Sequence, residues 1–337
     1  MSAAASSDAA PELSVIVPVF NEAANIAPLL AALTPALEGC CASHEIIFID
    51  DGSLDATMDE VRAAHARDTR VRAVSFSRNF GKEIAIAAGL DHARGRAAVI
   101  MDADLQHPPA MIPAFVKLWR EGYKNVYGQR TDRAADSPLR RALTYRFYDL
   151  FDNFGETRLP PGAGDFRLLD AQAVAALRAM GERARFSKGL YAWIGFKSVG
   201  VPFEVAERAH GVSKFSYRKL TRFALDGLMS FSTLPLKVWT FVGTLVSGVA
   251  LMSAVYFLSR TFVQGVDVPG YASLIVSILF FAGVQLVSLG VLGEYIGRIF
   301  AEVKRRPLYL VADTVGLAED GAARPPVAAR ARQMPQI

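Results

Sequence analysis

Ala97-Ala98-Val99-Ile100-Met101-Asp102-Ala103-Asp104-Leu105-Gln106-His107 is an apolar run that gives way abruptly to two carboxylates one residue apart. Ala97 to Met101 has the length and content of a buried strand, so the acids fall at its carboxyl end. Two earlier stretches have the same layout. Leu13 to Val19 runs into Phe20-Asn21-Glu22, and Glu45 to Ile49 runs into Asp50-Asp51-Gly52-Ser53. Segments with helical spacing lie between them, at Glu22 to Leu37, Ala56 to His65 and Lys82 to Ala93, with a further strand at Val71 to Ser75. Strand alternating with helix predicts an α/β fold on an open, largely parallel sheet. Ligands of such sheets sit beyond the carboxyl ends of the strands, where this chain collects its acids and turn residues.

Away from this region the composition changes. The chain of 337 residues is 52% hydrophobic, and the excess is concentrated after Leu234. Leu236 to Leu258 and Tyr271 to Ile296 each meet the roughly 20-residue requirement of a bilayer core, which predicts two C-terminal transmembrane helices. Their connection, Ser259 to Gly270, is nearly uncharged. Lys219, Arg222 and Lys237 precede the pair, and Arg298, Lys304, Arg305 and Arg306 follow it. The positive-inside rule then places the preceding domain and both termini in the cytoplasm, with the helices in the inner (cytoplasmic) membrane. Tyr217 to Phe231 reads as an amphipathic juxtamembrane segment, and Pro138 to Phe154 as a second amphipathic helix. The expected organisation is a disordered lead-in over residues 1–11, an α/β domain over 12–215, a juxtamembrane segment over 216–235, a two-helix membrane region over 236–300 and a tail over 301–337, disordered beyond Leu310.

A net charge of +4 is too small for a dedicated nucleic-acid binder. Cys40 and Cys41 are adjacent, which suits neither a metal-ligand spacing nor an ordinary disulfide and points to a reducing compartment. Hard oxygen donors such as Asp102 and Asp104 suit Mg²⁺ or Mn²⁺ that also holds phosphates, although an isolated Asp-x-Asp with nothing else beside it better fits a solvated turn. Clusters around Arg130 to Arg146 and Arg208 to Arg222 fit phosphates or anionic headgroups, or simply a solvated basic face.

Taken together, Pro18-Val19-Phe20-Asn21-Glu22, Asp50-Asp51-Gly52-Ser53 and Asp102 to His107 resemble the family 2 glycosyltransferases. Further motifs narrow the resemblance: Ser77-Arg78-Asn79-Phe80-Gly81-Lys82, Val126-Tyr127-Gly128-Gln129-Arg130, Gly164-Asp165-Phe166-Arg167-Leu168 and Arg208-Ala209-His210-Gly211-Val212-Ser213-Lys214. Together they are similar to those of the polyprenyl-phosphate sugar transferases, the dolichyl-phosphate mannose synthases and especially the bactoprenol glucosyltransferases. The resemblance implies a GT-A, Rossmann-like nucleotide-sugar-binding domain with a base and ribose pocket at Pro18, Phe20, Glu22, Ile49 and Asp51. Phe20 stands where tyrosine is more usual. By the same resemblance Asp102 and Ala103 lie along the ribose and diphosphate, and Asp102, Asp104 and Gln106 hold the Mg²⁺ or Mn²⁺. Asp165 stands at the catalytic carboxylate with Asp104 beside it, Arg130 grips donor phosphate, and Arg208, Ser213 and Lys214 receive the acceptor phosphate.

The expected reaction is an inverting, metal-dependent transfer of a hexose, glucose, from a UDP-sugar to undecaprenyl phosphate at a lipid bilayer. Another sugar, such as mannose, an aminoarabinose derivative or an N-acetylhexosamine, or another lipid acceptor, is the alternative within the class. A processive synthase is disfavoured, because Gln-x-x-Arg-Trp is absent around Trp119, Trp193 and Trp239. Outside the class stands a non-catalytic membrane scaffold, against which the retained acids speak. Gly293 and Gly297 have the spacing of a close helix-packing face, which permits the homo-oligomer, a tetramer, that the resemblance implies.

Overall fold

Why the apolar runs become strands is visible in their burial. Val15, Ile16 and Val17 are all fully buried, as are Ile46 to Ile49, so both faces of these strands are covered, as in the centre of a parallel sheet. The computed structural model describes residues 10–130, 160, 162–183, 185–203, 234–264 and 270–317. The chain divides into two compact units, Met1–Phe223 with Arg306–Ile337, and Ala224–Arg305.

In the first unit, β1 (Leu13–Val19), β2 (His44–Asp50), β3 (Val71–Phe76) and β4 (Ala97–Ile100) alternate with α1 (Ala23–Glu38), α2 (Thr57–Arg67) and α3 (Lys82–His92). After α4 (Ile112–Arg120) come β5 (Asn125–Arg130), β6 (Ala163–Asp170), α5 (Ala171–Ala179), α6 (Ser187–Trp193) and β7 (Ser198–Phe203). A last strand, β8 (Val311–Val315), follows the second unit in sequence. Among the described residues the sheet runs β7-β5-β6-β4-β1-β2-β3-β8. It is mixed rather than largely parallel. β6 inserts antiparallel between β4 and β5, and β8 pairs antiparallel with β3. The tail therefore departs from expectation, because Val311 to Val315 form an edge strand instead of continuing disorder.

Helices cover the sheet by their apolar faces. α1 buries Ile26, Leu29, Leu33 and Leu37 at three- and four-residue spacing, and α4 buries Ile112, Phe115, Val116 and Trp119. α3 approaches β1 so closely that a Cβ at Gly89 would lie 2.1 Å from Ile16 Cγ2. Ile16 is fully buried in the sheet. Gly89→Ala is therefore expected to cost about 1–3 kcal/mol by overpacking. Thermal unfolding measures it, and an unchanged melting temperature would show that α3 can shift off the sheet freely.

The second unit holds α7 (Leu234–Gln264) and α8 (Tyr271–Val303). Phe280–Val303 is long and apolar enough to cross a membrane, whereas Val238–Ser253 is a shorter apolar run. Their large side chains are exposed on every side, among them Phe241, Leu251, Met252, Phe262, Leu286, Leu289 and Phe300. The helices expected at 138–154 and 217–231 lie outside the described residues.

Candidate active site

Strand order reverses at β1 and β4, which lie side by side while their following connections diverge. Ligands of open α/β sheets bind beyond the carboxyl ends at such a point, which here lies between Phe20-Asn21-Glu22 and Asp102 to His107. Pro18 helps to end the ladder. The Met101 N–H donates to the Ile16 carbonyl at 3.1 Å, so the next β1 donor facing β4 would be residue 18, and proline has none.

The loops around this point are stitched together by side chains. The Asn21 N–H donates to Ser53 Oγ at 2.8 Å, and Asn21 Oδ1 accepts from the Leu54 N–H at 2.8 Å. Asn21 adopts φ 54°, a conformation that asparagine tolerates better than most residues. Asp51 is buried and accepts from the Phe80 N–H at 2.6 Å and the Gly81 N–H at 2.9 Å. Burial pushes its carboxyl up, while these two amides pull it down. Beside it, a Cβ at Gly52 would stand 2.6 Å from the Arg78 carbonyl carbon, and φ is +74° there, so glycine is required twice over.

Lys82, at the start of α3, is the centre of charge. Its Nζ lies 2.6 Å and 2.8 Å from the two Asp102 carboxylate oxygens and 3.2 Å from Asp165 Oδ2. Asp104 Oδ1 accepts from the Gln106 N–H at 3.2 Å, which closes the turn through Leu105 at φ 60°. The Asp102 N–H donates to His107 Nδ1 at 3.2 Å, so the imidazole carries its proton on Nε2. Burial first, and the Lys82 ammonium with it, hold His107 below the ordinary range against the pull of Asp102.

Asp165 and Arg167 share one face of β6, and Phe166 and Leu168 on the other join the core. Burial opposes ionisation of Asp165. Lys82 foremost, with Lys188 and Arg167, outweighs it and keeps the carboxyl well below the usual carboxylate range. Arg167 is buried, lies over the Tyr191 ring at 3.6 Å and donates to the Gly164 carbonyl at 2.5 Å. Glu83, raised by burial and by the nearby Asp165, accepts from the Ser187 N–H at 3.0 Å and from its hydroxyl. Asp165 Oδ1 is buried without a hydrogen-bond partner. An anionic oxygen left this way is an unmet acceptor, tolerated beside the Lys82, Lys188 and Arg167 cations.

Residues 14–178 match the family model described as glycosyl transferase family 2. An uncharacterised glycosyltransferase of Synechocystis sp. is 47% identical over 306 residues, 91% of this chain and 96% of the relative. A putative glycosyltransferase of Bacillus subtilis is 43% identical over 89% of this chain and 91% of its own. The prophage-derived bactoprenol glucosyl transferase of Shigella flexneri is 43% identical over 89% of this chain and 97% of its own length. The chain belongs to glycosyl transferase family 2. It is a glycosyltransferase with a GT-A-like α/β fold.

Of the expected site residues in this transferase, Phe20, Glu22, Asp102, Asp104 and Gln106 all lie on loops at the carboxyl ends of β1 and β4, and Ala103 is buried among them. Asp165 joins them through Lys82. Ile49 does not, because its side chain is fully buried in β2 and shows no surface to a ligand. Arg130 is exposed at the end of β5, and Arg208, Ser213 and Lys214 lie outside the described residues. Among the described residues no three His, Cys, Asp or Glu side chains form a metal cage. Two carboxylates and an amide oxygen on one turn nevertheless fit Mg²⁺ or Mn²⁺, ions held by few protein ligands with the remaining positions left to phosphate and water.

Lys82, Glu83, Arg167, Ser187 and Tyr191 had no role in the sequence reading. For Lys82 the signal was its place at the end of the Ser77 to Lys82 motif, and for Arg167 its position two residues after Asp165 in a strand. Lys82→Met removes the cation that spans Asp102 and Asp165, so kcat/KM at neutral pH should fall by about tenfold or more. An unchanged kcat/KM would mean that the other cations suffice to hold the two carboxylates in place.

Proposed function

We propose that the enzyme transfers glucose from UDP-glucose to undecaprenyl phosphate with inversion at the anomeric carbon. The observation that carries this reading is the likeness to the bactoprenol glucosyl transferase, which extends over 97% of that relative at 43% identity. The charged cluster of Lys82, Asp102 and Asp165 supplies chemistry to match. An oxygen of the lipid phosphate attacks the anomeric carbon, the bond to the β-phosphate oxygen breaks, and its electron pair leaves with UDP. A phosphate monoester with a second pKa near about 6 is largely ionised at neutral pH, so it needs no strong base. Asp165 then serves as a fixed carboxylate that orients the sugar. Asp102, Asp104 and Gln106 would hold the metal ion, which when bound neutralises charge on the departing diphosphate. Arg130 receives donor phosphate, and Arg208, Ser213 and Lys214 receive the acceptor.

In this reading α7 and α8 both cross the inner membrane and return the chain to the cytoplasmic face. At about 1.5 Å per residue they are roughly 46 and 50 Å long, more than the roughly 30 Å of a hydrocarbon core. Their all-round apolar surface supports burial in lipid. Lys237, Arg298 and Lys304 to Arg306 support the cytoplasmic assignment of the flanks.

The test is to incubate the detergent-purified chain with Mg²⁺ or Mn²⁺, undecaprenyl phosphate and each of several nucleotide sugars, and to weigh the lipid products by mass spectrometry. Hexosyl undecaprenyl phosphate from UDP-glucose is expected. A product from another donor alone would replace the sugar assignment, and no product with any donor would overturn the reading.

A further inference from the structure

The tail that follows α8 reaches the donor side of the sheet. β8 runs antiparallel along β3, with Thr314 opposite Val74 and Asp313 opposite Ser75. Four of its five residues are exposed, so it adds little apolar burial to the core. Its ion pair, Arg62 to Asp313 at 2.6 Å, is likewise exposed and contributes little. What it does supply lies at its start. Tyr309 stacks on Phe76 with ring centroids 4.9 Å apart, and its hydroxyl is 3.3 Å from Asp91 Oδ2. The Leu310 carbonyl accepts from the Ser77 N–H at 2.9 Å. The β3–β8 register shifts between Ser75 and Phe76, an irregularity of the kind that re-aims a side chain.

From Phe76 the contacts continue inward. Its ring meets Phe80 edge-on at 5.7 Å. Phe80 lies in the segment 77–81, whose amides at Phe80 and Gly81 bind the Asp51 carboxylate and which leads directly into Lys82. The segment also packs on Gly52 closely enough to exclude a side chain there. Any drift of Phe76 or Ser77 would therefore reach both Asp51 and Lys82.

We propose that Tyr309 is a positioning residue for the donor site: by clamping Phe76 and the start of segment 77–82, the strand entering β8 sets the placement of Asp51 and Lys82. The effect on donor affinity rests on the UDP-sugar reading above, whereas the clamp itself does not.

The test uses the full chain in detergent with Tyr309→Ala and Tyr309→Phe, the latter keeping the ring stack. Three quantities are read: hydrogen exchange over residues 76–82 without ligand, UDP binding with Mn²⁺ by calorimetry, and KM for UDP-glucose against KM for undecaprenyl phosphate. In Tyr309→Ala, exchange in this segment should quicken by about tenfold. UDP should bind about fivefold more weakly, while the acceptor KM changes by less than about twofold. Tyr309→Phe should stay near the parent in all three. Unchanged exchange and UDP affinity in a folded Tyr309→Ala would overturn the proposal, as would parallel rises in both KM values with a lowered melting temperature. Faster exchange in a protein whose parent binds no UDP would support the clamp while refuting the donor assignment.

Discussion

Asp165→Asn is expected to lower turnover by about 10³-fold, some 4 kcal/mol of transition-state stabilisation, while UDP still binds within about threefold of the parent. The substitution keeps size and shape and removes only charge. In the parent, Lys82 spans Asp102 and Asp165, and the other Asp165 oxygen, Oδ1, is buried with no hydrogen-bond partner. An amide there is a weaker acceptor, or presents a donor, and it leaves Lys82, Lys188 and Arg167 without their common counter-charge. Single-turnover measurement of sugar transfer separates this loss from slower product release. Turnover within about tenfold of the parent would remove Asp165 from the centre of the reaction.

Asp104→Ala should produce the second large loss, about 10²-fold or more, through the metal ion rather than through the sugar. Asp102 already shares its carboxylate with Lys82, whereas Asp104 contacts the Gln106 amide in the turn and stands beside it as a second hard ligand. A titration with Mn²⁺ is therefore expected to need at least about tenfold more metal for half-maximal rate. Membrane insertion should be unaffected, since α7 and α8 are remote in sequence. An unchanged metal curve would argue that Asp102 and the diphosphate hold the ion without Asp104.

The parallel half of the fold was legible because its strands are short, β-branched runs, each closed by acids or turn residues. β1 occupies Leu13 to Val19 as expected, and β2, β3 and β4 begin or end within a residue or so of expectation. β6 was harder to see, since Pro160, Pro161, Gly162 and Gly164 read as turn residues while the strand already begins at Ala163. In β8 the sequence Val-Ala-Asp-Thr-Val pairs on one edge only and is mostly exposed, so it lacks the hydrophobic signal of a core strand. Asp51, Asp102 and Asp104 could be found from local pattern, because each follows the end of a strand, whereas Asp165 lies inside β6 and entered only through the family resemblance. Lys82 could not be found from local pattern, since it meets Asp102 and Asp165 only once α3, β4 and β6 are in place. Ile49 erred in the other direction: position near a strand end suggested a pocket, but alternation and close packing buried the side chain completely.

The capping of β3 by a strand from the far end of the chain also bears on solubility. Without residues 311–315, β3 would present a row of bare amides and carbonyls at the margin of a sheet already rich in valine and isoleucine. Such margins recruit other copies by strand addition. A chain shortened before Val311 should accordingly run as large self-associated species in size-exclusion chromatography, a defect of colloidal behaviour separate from any loss of chemistry.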